Sequence, residues 1–191
     1  TACGSSASST AAASTADTAA SGEASAEAAA DAPDGDGDPT TLTVAMECAY
    51  APYNWTQSDD SNGAVAIRGS SDYAYGYDVM MAKKIADALG QKVQIVKLDW
   101  DSLIPAVMSG DVDCVIAGQS ITAERAAQVD FSDPYYYASI ITLTKKDSQY
   151  ASAASVADLA GATATSQLGT IWYDNCLPQI TDANILPAQE T

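Results

Sequence analysis

The sequence contains no histidine among its 191 residues. Histidine is the commonest general base and a frequent zinc ligand, so its absence excludes serine–histidine hydrolases and histidine-rich zinc sites. Long apolar runs are also absent, since no stretch approaches the roughly 18 consecutive apolar residues that a transmembrane helix needs. The sequence therefore predicts no membrane-spanning helix, although 47% of its residues are hydrophobic.

Basic residues are scarce in this chain. Eight Lys and Arg stand against 25 Asp and Glu, which gives a net charge of −17, and none of the basic residues precedes Arg68. Binding to nucleic-acid phosphates or to anionic lipid headgroups requires clustered positive charge. We therefore expect neither nucleic acid nor an electrostatically bound membrane surface as a partner.

Four cysteines are present, but no two of them are spaced as C-x-x-C. Cys48, Cys114 and Cys176 lie far apart in the sequence, so their spacing supports neither a zinc site nor a redox pair. No metal or other cofactor is predicted. We expect Cys48 and Cys114 to be buried thiols, whereas Cys176 can pair with a cysteine beyond Thr191 if the natural chain continues there.

The fourth cysteine, Cys3, lies in the N-terminal tetrapeptide T-A-C-G. Small residues before a cysteine and a glycine after it are typical of the end of a bacterial lipobox, which follows a signal segment. The pattern predicts that Cys3 carries a lipid that anchors the protein to the extracytoplasmic face of a bacterial cell membrane. The alternative is an ordinary exposed thiol.

Residues 4–38 contain no aromatic and no branched aliphatic side chain. Such a composition cannot bury enough apolar surface to offset the entropy lost on ordering. Seven acidic residues and no basic ones favour an extended chain. We predict a disordered tether that, with the lipobox remnant, occupies residues 1–39.

Hydrophobic periodicity beyond the tether predicts alternating strands and helices. A helix over residues 77–89 is expected to be capped by Asp78 and stopped by Gly90, and a second helix ends at Gly110. Together these elements predict an α/β fold with a parallel sheet. The predicted elements are strands at 42–46, 93–96 and 113–117 and helices at 77–89 and 103–108.

The remaining segments give weaker signals. Asn62-Gly63 predicts a tight hairpin turn within a polar excursion. Residues 137–144 are expected to form a crossing strand, and Ser155 followed by Asp158 predicts a capping-box helix start. Strands are further expected at residues 162–166 and 184–186.

The most informative stretch joins a buried strand to a short helix. Residues 113–117 form a nearly unbroken apolar run, Thr122 is typical of an N-cap, and Arg125 falls in the first turn that follows. The free N–H groups and positive dipole end of a helix attract anions, and helical side chains lean toward the N-terminus. We therefore predict that Arg125 binds a carboxylate through a bidentate contact. The alternative is that Arg125 pairs with Glu124 or Asp130 on a solvated helix.

Five segments together resemble a known family, the type 3 bacterial extracellular solute-binding proteins, which are polar amino-acid receptors of ATP-binding-cassette (ABC) importers. The segments are Y-A-P-Y at 50–53, G-Y-D-V at 76–79, W-D-S-L-I-P-A at 100–106, the block 118–135, and D-L-A-G at 158–161 leading to Q-L-G-T at 167–170.

The resemblance implies a type II periplasmic-binding-protein-like fold in which two lobes close over a ligand. It places lobe 1 at residues 40–138, a crossing hinge strand at 139–147 and a partial lobe 2 at 148–191. Because the family's second lobe is about twice as long, we expect this sequence to be a C-terminally truncated piece of a longer receptor. Such a piece is expected to bind amino acids weakly or not at all, whereas the full-length parent binds them in the micromolar range or tighter.

The resemblance also assigns roles in lobe 1. Tyr50 and Trp100 match the aromatic residues that enclose the ligand side chain. Gly118 matches the residue whose carbonyl accepts from the α-ammonium, and Ser120 matches one that meets the α-carboxylate. Arg125 matches the carboxylate clamp.

Further positions match residues that select the ligand. Thr170 matches a donor to the carboxylate from lobe 2, and Gln167 lies where family members contact the ligand side chain. Glu47 matches a position that is often aspartate in receptors for glutamine or basic amino acids; a salt bridge from Glu47 to Lys83 or Lys84 is the alternative. The family's aspartate partner for the α-ammonium has no counterpart here.

The resemblance thus implies a non-enzymatic, monomeric receptor for a polar amino acid that docks on the permease subunits of an ABC importer. Two alternatives stay open. One is a cyclohexadienyl or arogenate dehydratase on the same fold, with Glu47 as general acid. The other is a ligand-sensing module of a larger receptor.

Overall fold

The computed structural model describes residues 39–189. The predicted lipid attachment at Cys3 and nearly all of the predicted tether lie outside this range. The strands are β1 (Thr41–Met46), β2 (Ala49–Tyr50), β3 (Asn54–Gln57), β4 (Val65–Ala66), β5 (Tyr73–Tyr75), β6 (Lys92–Lys97), β7 (Cys114–Val115), β8 (Thr163–Gln167) and β9 (Asn184–Ala188). The α-helices are α1 (Tyr77–Leu89), α2 (Leu103–Ser109) and α3 (Ala123–Ala126).

The predicted parallel sheet is confirmed, with β1 between β6 and β7. All six residues of β1 are buried, as expected for a central strand covered on both faces. Val44, Ile95 and Leu103 are fully buried in the core beneath this sheet. The strand β7 is shorter than the apolar run at residues 113–117: Cys114 and Val115 pair with β1, and the N–H groups of Asp113 and Ile116 donate to β1 carbonyls on either side. Cys114 and Val115 are only partly buried, so the prediction of a strand covered on both faces with a buried Cys114 is wrong.

Both long helices are confirmed at their predicted positions. Gly90 and Gly110 end α1 and α2 in the left-handed conformation, with φ of 71° and 78°. The prediction that Asp78 caps α1 is wrong: Gly76 is the N-cap residue, and no side chain caps this helix. Asp78 instead is buried and accepts a hydrogen bond from Asn54 of β3.

A second, antiparallel sheet has the order β2-β3-β5-β4. Asn62 and Gly63 both have positive φ, at 60° and 79°. The predicted hairpin across them is nevertheless wrong, because β5 pairs with both β3 and β4 and separates the two strands that the turn connects. We call the portion of the chain at residues 41–118 the first region.

Residues 155–189, the second region, contain the parallel pair β8 and β9. The predicted capping box is present, since the Ser155 N–H donates to Asp158 at 2.9 Å at the start of a 3₁₀ helix, Val156–Leu159. Leu159, Ala162 and Ile180 form a small core of their own. Trp172–Cys176 form one π-helical turn after β8.

The predicted crossing strand at residues 137–144 is not observed. These residues adopt no regular secondary structure, and their side chains are exposed. A strand requires a neighbouring strand to complete its hydrogen bonds, and none lies beside this segment within residues 39–189. No helix in the described part of the chain is long and apolar enough to cross a membrane.

Candidate functional site

The candidate site lies beyond the carboxyl ends of the three parallel strands. Glu47 directly follows β1, Trp100 follows β6, and Gly118 follows β7 after a short apolar segment. In α/β sheets the loops at this edge converge and leave a crevice between them. The sheet topology therefore brings together residues that are as much as 71 positions apart in the sequence (118 minus 47).

The loop after β7 positions Arg125 as predicted. The Thr122 hydroxyl accepts a hydrogen bond from the Arg125 N–H at 3.2 Å and so caps α3. The Arg125 guanidinium donates through Nη1 to the Ser120 carbonyl and through Nη2 to the Gly169 carbonyl, both at 2.9 Å. Its Cζ lies 5.4 Å from the centre of the Trp100 ring. The guanidinium thus faces the crevice, and the two described contacts of its N–H groups are not with carboxylates.

Two further contacts connect the first region to the second across the crevice. The Trp100 indole N–H donates to the Gly169 carbonyl at 3.0 Å, so this carbonyl accepts from Trp100 and Arg125 together. The Gln167 amide donates to the Glu47 carboxylate, and both residues are buried. The end of β8 and the loop after it therefore supply groups that meet Glu47 and Trp100 of the first region and Arg125 of the loop that follows that region.

Thr170 is oriented by its own loop. Its hydroxyl donates to the Gln167 carbonyl at 2.7 Å and accepts from the Tyr173 N–H at 3.2 Å. This arrangement holds the start of the π-helical turn against the end of β8. Gly169 precedes it with φ of 69°, and a Cβ there would lie 2.8 Å from Asp101, so glycine permits the close approach to the first region.

The aromatic wall is built around Tyr50. Its ring stacks on Tyr53 with centroids 4.8 Å apart and lies 6.0 Å from the Trp172 ring. Gly118 has φ of 64°, and a Cβ at this position would touch the Tyr50 ring at 3.6 Å. Aromatic faces favour both apolar stems and cationic groups.

All eight residues singled out in the sequence line a single small cavity of about 20 Å³. Those residues are Glu47, Tyr50, Trp100, Gly118, Ser120, Arg125, Gln167 and Thr170. Sequence reasoning missed three further lining residues, Ala117, Ile171 and Trp172. Trp172 had a usable signal, since it lies two residues after Thr170, but its facing direction depends on the π-helical turn.

An acidic and a basic side chain, Glu47 and Arg125, line this cavity. Burial lowers the pKa of Arg125, while the nearby acids Glu124 and Asp174 act in the opposite direction. Arginine nevertheless remains protonated in proteins, so the site presents a fixed cation. Glu47, at the other side of the cavity, is 7% exposed. These two side chains can bind a small molecule that carries both a negative and a positive group, such as a zwitterion.

A larger cavity of about 380 Å³ adjoins the site and shares five lining residues with it: Tyr50, Gly118, Ser120, Ile171 and Trp172. Its other walls include Tyr53, Tyr77 and the segment beyond Phe131. A volume large enough for a small molecule therefore lies next to the candidate site.

Known proteins resemble this chain in sequence and in structure. The arginine-binding extracellular protein ArtP of Bacillus subtilis (strain 168) is 43% identical over 130 residues, which cover 68% of this chain and 45% of ArtP. The arginine-bound form of a truncated ArgBP from T. maritima has a TM-score of 0.65 at 30% identity, with 79% of this chain and 65% of that chain covered.

The ancestral amino-acid-binding protein AncCDT-1, a precursor of cyclohexadienyl dehydratase, has a TM-score of 0.65 at 34% identity. That match covers 79% of this chain and 62% of the AncCDT-1 chain. The matched segments span 28% to 52% of the length of seven curated relatives, ArtP among them. The fold is that of the type II periplasmic-binding proteins. Residues 42–161 match the family model itself, and the chain belongs to the bacterial extracellular solute-binding proteins, family 3.

Proposed function

We propose that this protein captures a cationic amino acid, of which L-arginine is the representative, and presents it to the permease subunits of an ABC importer. The observation that carries the proposal is the convergence of Arg125, Glu47 and the rings of Tyr50 and Trp100 on one cavity. ArtP and ArgBP, which resemble this chain, are both named for arginine binding. No catalytic step is required for this role.

The ligand's α-carboxylate binds to Arg125 in this proposal. A carboxylate is a stronger acceptor than a neutral carbonyl, so it replaces the Gly169 carbonyl at the Arg125 Nη2 atom. Ser120, which lines the same cavity, supplies a hydroxyl group to the carboxylate. The Thr170 hydroxyl exchanges its bond to the Gln167 carbonyl for one to the carboxylate as the ligand enters. The Gly118 carbonyl accepts from the α-ammonium group.

The ligand's side chain lies between the aromatic walls. Tyr50 and Trp100 cover its aliphatic stem, and the carboxylate of Glu47 faces its cationic tip. Gln167 already donates to Glu47, so a ligand guanidinium competes for a preformed acceptor. This arrangement favours arginine over a neutral side chain of the same shape.

Ligand entry requires the two regions to separate. The cavity of about 20 Å³ holds little more than one water molecule, and direct hydrogen bonds from Trp100, Arg125 and Gln167 bridge its two sides. We propose residues 139–147 as the hinge between a lobe at residues 40–138 and a partial lobe at residues 148–191. Closure around the ligand then provides the signal that a permease recognises.

The first test is isothermal titration of the natural gene product with L-arginine. We expect micromolar affinity or better, about −8 kcal/mol. Arg125→Ala should abolish measurable binding. Arg125→Lys keeps the charge but loses the planar donor pair, so we expect a loss of about 10- to 100-fold. An Arg125→Ala protein that binds arginine as tightly as the parent would overturn the proposed carboxylate site.

The second measurement compares L-arginine with L-citrulline, which has nearly the same shape and no side-chain charge. The parent should prefer arginine. Glu47→Gln should bring the two affinities within about threefold of each other, because it removes the negative charge while keeping the size of the side chain. Equal affinities of the parent for L-arginine and L-citrulline would show that the cavity does not distinguish a cationic side chain from a neutral one.

A dehydratase remains the competing proposal, because AncCDT-1 is described as a precursor of such an enzyme. Glu47 would have to act as the general acid, yet its carboxylate already accepts from Gln167. Incubation of the purified protein with prephenate and with arogenate decides between the two proposals. If product forms with the parent and not with Glu47→Gln, the dehydratase proposal replaces the transport proposal. If no product forms, the transport proposal stands.

We further propose an extracytoplasmic location with lipid attachment at Cys3. The support is the sequence pattern around Cys3 and the extracellular relatives of this chain. Mass spectrometry of the natively expressed protein should detect a diacylglyceryl-modified Cys3. An unmodified thiol at this position would contradict the anchor without affecting the proposed ligand.

A further inference from the structure

Cys48 lies between two residues of the candidate site, Glu47 and Tyr50. It has φ of 55°, in the left-handed region that residues with a Cβ rarely adopt. Side chains alternate along a strand, so residues three positions apart in a continuous strand point to opposite faces. Glu47 and Tyr50 nevertheless line the same cavity. The change of direction at Cys48 is what brings them to one side.

The left-handed conformation is held by hydrogen bonds at both ends of the residue. The Cys48 N–H donates to the Asn54 Oδ1 atom at 2.7 Å, and its carbonyl accepts from the Thr56 hydroxyl at 2.9 Å. Both partners belong to β3, which runs antiparallel to β2. Cys48 is 2% exposed, and burial raises the pKa of its thiol to about 12, so the side chain is neutral. The thiol packs in the core and donates to the Met46 carbonyl at 3.9 Å.

Asn54 is itself fixed from the helix side. Its Nδ2 donates to the Asp78 Oδ2 atom at 2.7 Å, and both side chains are buried. The Asp78 N–H donates to the Tyr53 carbonyl at 2.8 Å. A Cβ at Gly76 would lie 2.2 Å from that carbonyl, so glycine lets the start of α1 approach the turn before β3. The chain of contacts runs from α1 through Asn54 to Cys48.

We propose that Cys48 is a positioning residue, and that Asn54 and Asp78 hold its left-handed backbone so that Glu47 and Tyr50 address the same ligand. The inference rests on the proposed amino-acid capture. It adds that selectivity for the side chain depends on backbone conformation at a position that does not line the cavity.

Three substitutions at Cys48 separate conformation from packing. Glycine adopts φ near 55° freely, alanine adopts it with some strain, and the β-branched valine adopts it least. Alanine keeps the Cβ of cysteine, valine is bulkier than cysteine and fills the buried site, and glycine leaves the site empty. A purely structural packing role therefore predicts that Cys48→Gly is the furthest of the three from the parent, whereas the positioning role predicts that Cys48→Gly is the closest.

The measurement is the affinity of the natural gene product for L-arginine and L-citrulline by isothermal titration. Cys48→Gly should stay within about threefold of the parent for L-arginine, and Cys48→Val should lose at least about tenfold, as expected from the cost of a left-handed residue with a Cβ. Cys48→Val should also lose its preference for arginine over citrulline. Thermal unfolding of each variant ensures that only folded protein is titrated.

Substitutions at Asn54 and Asp78 test the positioning role independently of Cys48. Asp78→Asn keeps an oxygen that can accept from Asn54 and should preserve the preference for arginine. Asn54→Asp removes the donor to Asp78 and places two carboxyl groups together, so it should reduce that preference as Cys48→Val does. Retention of full selectivity in both Asn54→Asp and Cys48→Val would overturn the proposal.

A readout without ligand distinguishes this proposal from the function on which it rests. The near-ultraviolet circular dichroism of the unliganded protein is sensitive to the packing of its aromatic rings, among them the stack of Tyr50 on Tyr53 within the first region, whose centroids are 4.8 Å apart. Cys48→Val should change this spectrum, and Cys48→Gly should not. If the parent binds no amino acid, the proposed function fails while the spectra still test the positioning role. Unchanged spectra in Cys48→Val would count against the positioning role itself.

Discussion

The first and second regions of the molecule differ in how much core each contains. The first encloses one continuous cluster of buried side chains beneath a three-stranded parallel sheet. The second has a two-stranded sheet and a core formed by Leu159, Ala162 and Ile180. Hydrophobic burial scales with the apolar area removed from water, so the first region carries most of the stability. The candidate site lies where the better-packed region meets the smaller one.

The largest expected effect tests this difference directly. Leu103 is fully buried in the first region, so Leu103→Ala should lower the free energy of unfolding by about 2–5 kcal/mol. Ile180→Ala removes a similar side chain from the smaller core, whose partly buried surroundings can relax, and should cost about 2 kcal/mol or less. Urea denaturation of both variants gives the two values. Equal costs would mean that the two cores are packed equally well.

A second contrast concerns carboxyl groups in the two regions. Burial raises the pKa of Asp78 to about 6, although its hydrogen bond from Asn54 acts in the opposite direction. The folded state therefore binds this proton more tightly than the unfolded state does, and stability falls as the pH rises from about 4 to 6. Asp78→Asn should remove this fall, which amounts to about 3 kcal/mol at most.

Asp158 in the second region should behave in the opposite way. The Ser155 hydroxyl and the backbone N–H groups of Ala154 and Ser155 lower its pKa. Its contribution is present above the unfolded pKa and is lost as the pH falls through the lower folded pKa. Melting temperatures measured from pH 3 to 7 should therefore diverge between Asp78→Asn and Asp158→Asn. The exposed Asp87→Asn, on the same helix as Asp78, is the control. If the melting temperature of Asp78→Asn changed with pH as it does in the wild type, the raised pKa of Asp78 would not be the cause of the pH dependence.

The smallest expected effect concerns the loop through which the first region reaches the second. Thr122→Ala removes the hydroxyl that accepts from the Arg125 N–H and should destabilise α3 by about 1 kcal/mol. Thr122→Ser keeps the hydroxyl and serves as the matched control. Hydrogen exchange should show faster exchange of the Arg125 amide in the alanine variant alone. Identical exchange in both variants would mean that the cap contributes nothing to holding Arg125.

Local signals in the sequence were sufficient for the long helices and for much of the site. Gly90 and Gly110 end α1 and α2 as predicted. Glycine has no Cβ and adopts the left-handed conformation that ends a helix, so this signal needs no distant partner. Thr122 capped α3 for the same local reason. The resemblance to a family supplied the eight cavity-lining residues, and the structure brings all eight together.

Elements that depend on distant partners were less predictable. Asp78 is a residue type that often caps helices, and it lies near the start of α1. Its carboxyl group instead accepts a hydrogen bond from Asn54, which lies 24 residues earlier in the chain. The Asn62-Gly63 turn has its expected left-handed residues, yet β5 separates the strands on either side. Residues 137–144 have the composition of a strand and find no neighbour in the described chain.

Short-range patterns in the sequence were enough to locate α1, α2 and β1 and to predict that an arginine follows a capped turn, because each of these depends on residues within a few positions. Tertiary structure decided the order of the strands, the burial of Asp78 and the convergence of Glu47, Arg125 and Gln167 on one cavity. Those features depend on contacts between residues far apart in the chain, and such contacts are selected by packing and hydrogen bonding in three dimensions rather than by local propensity.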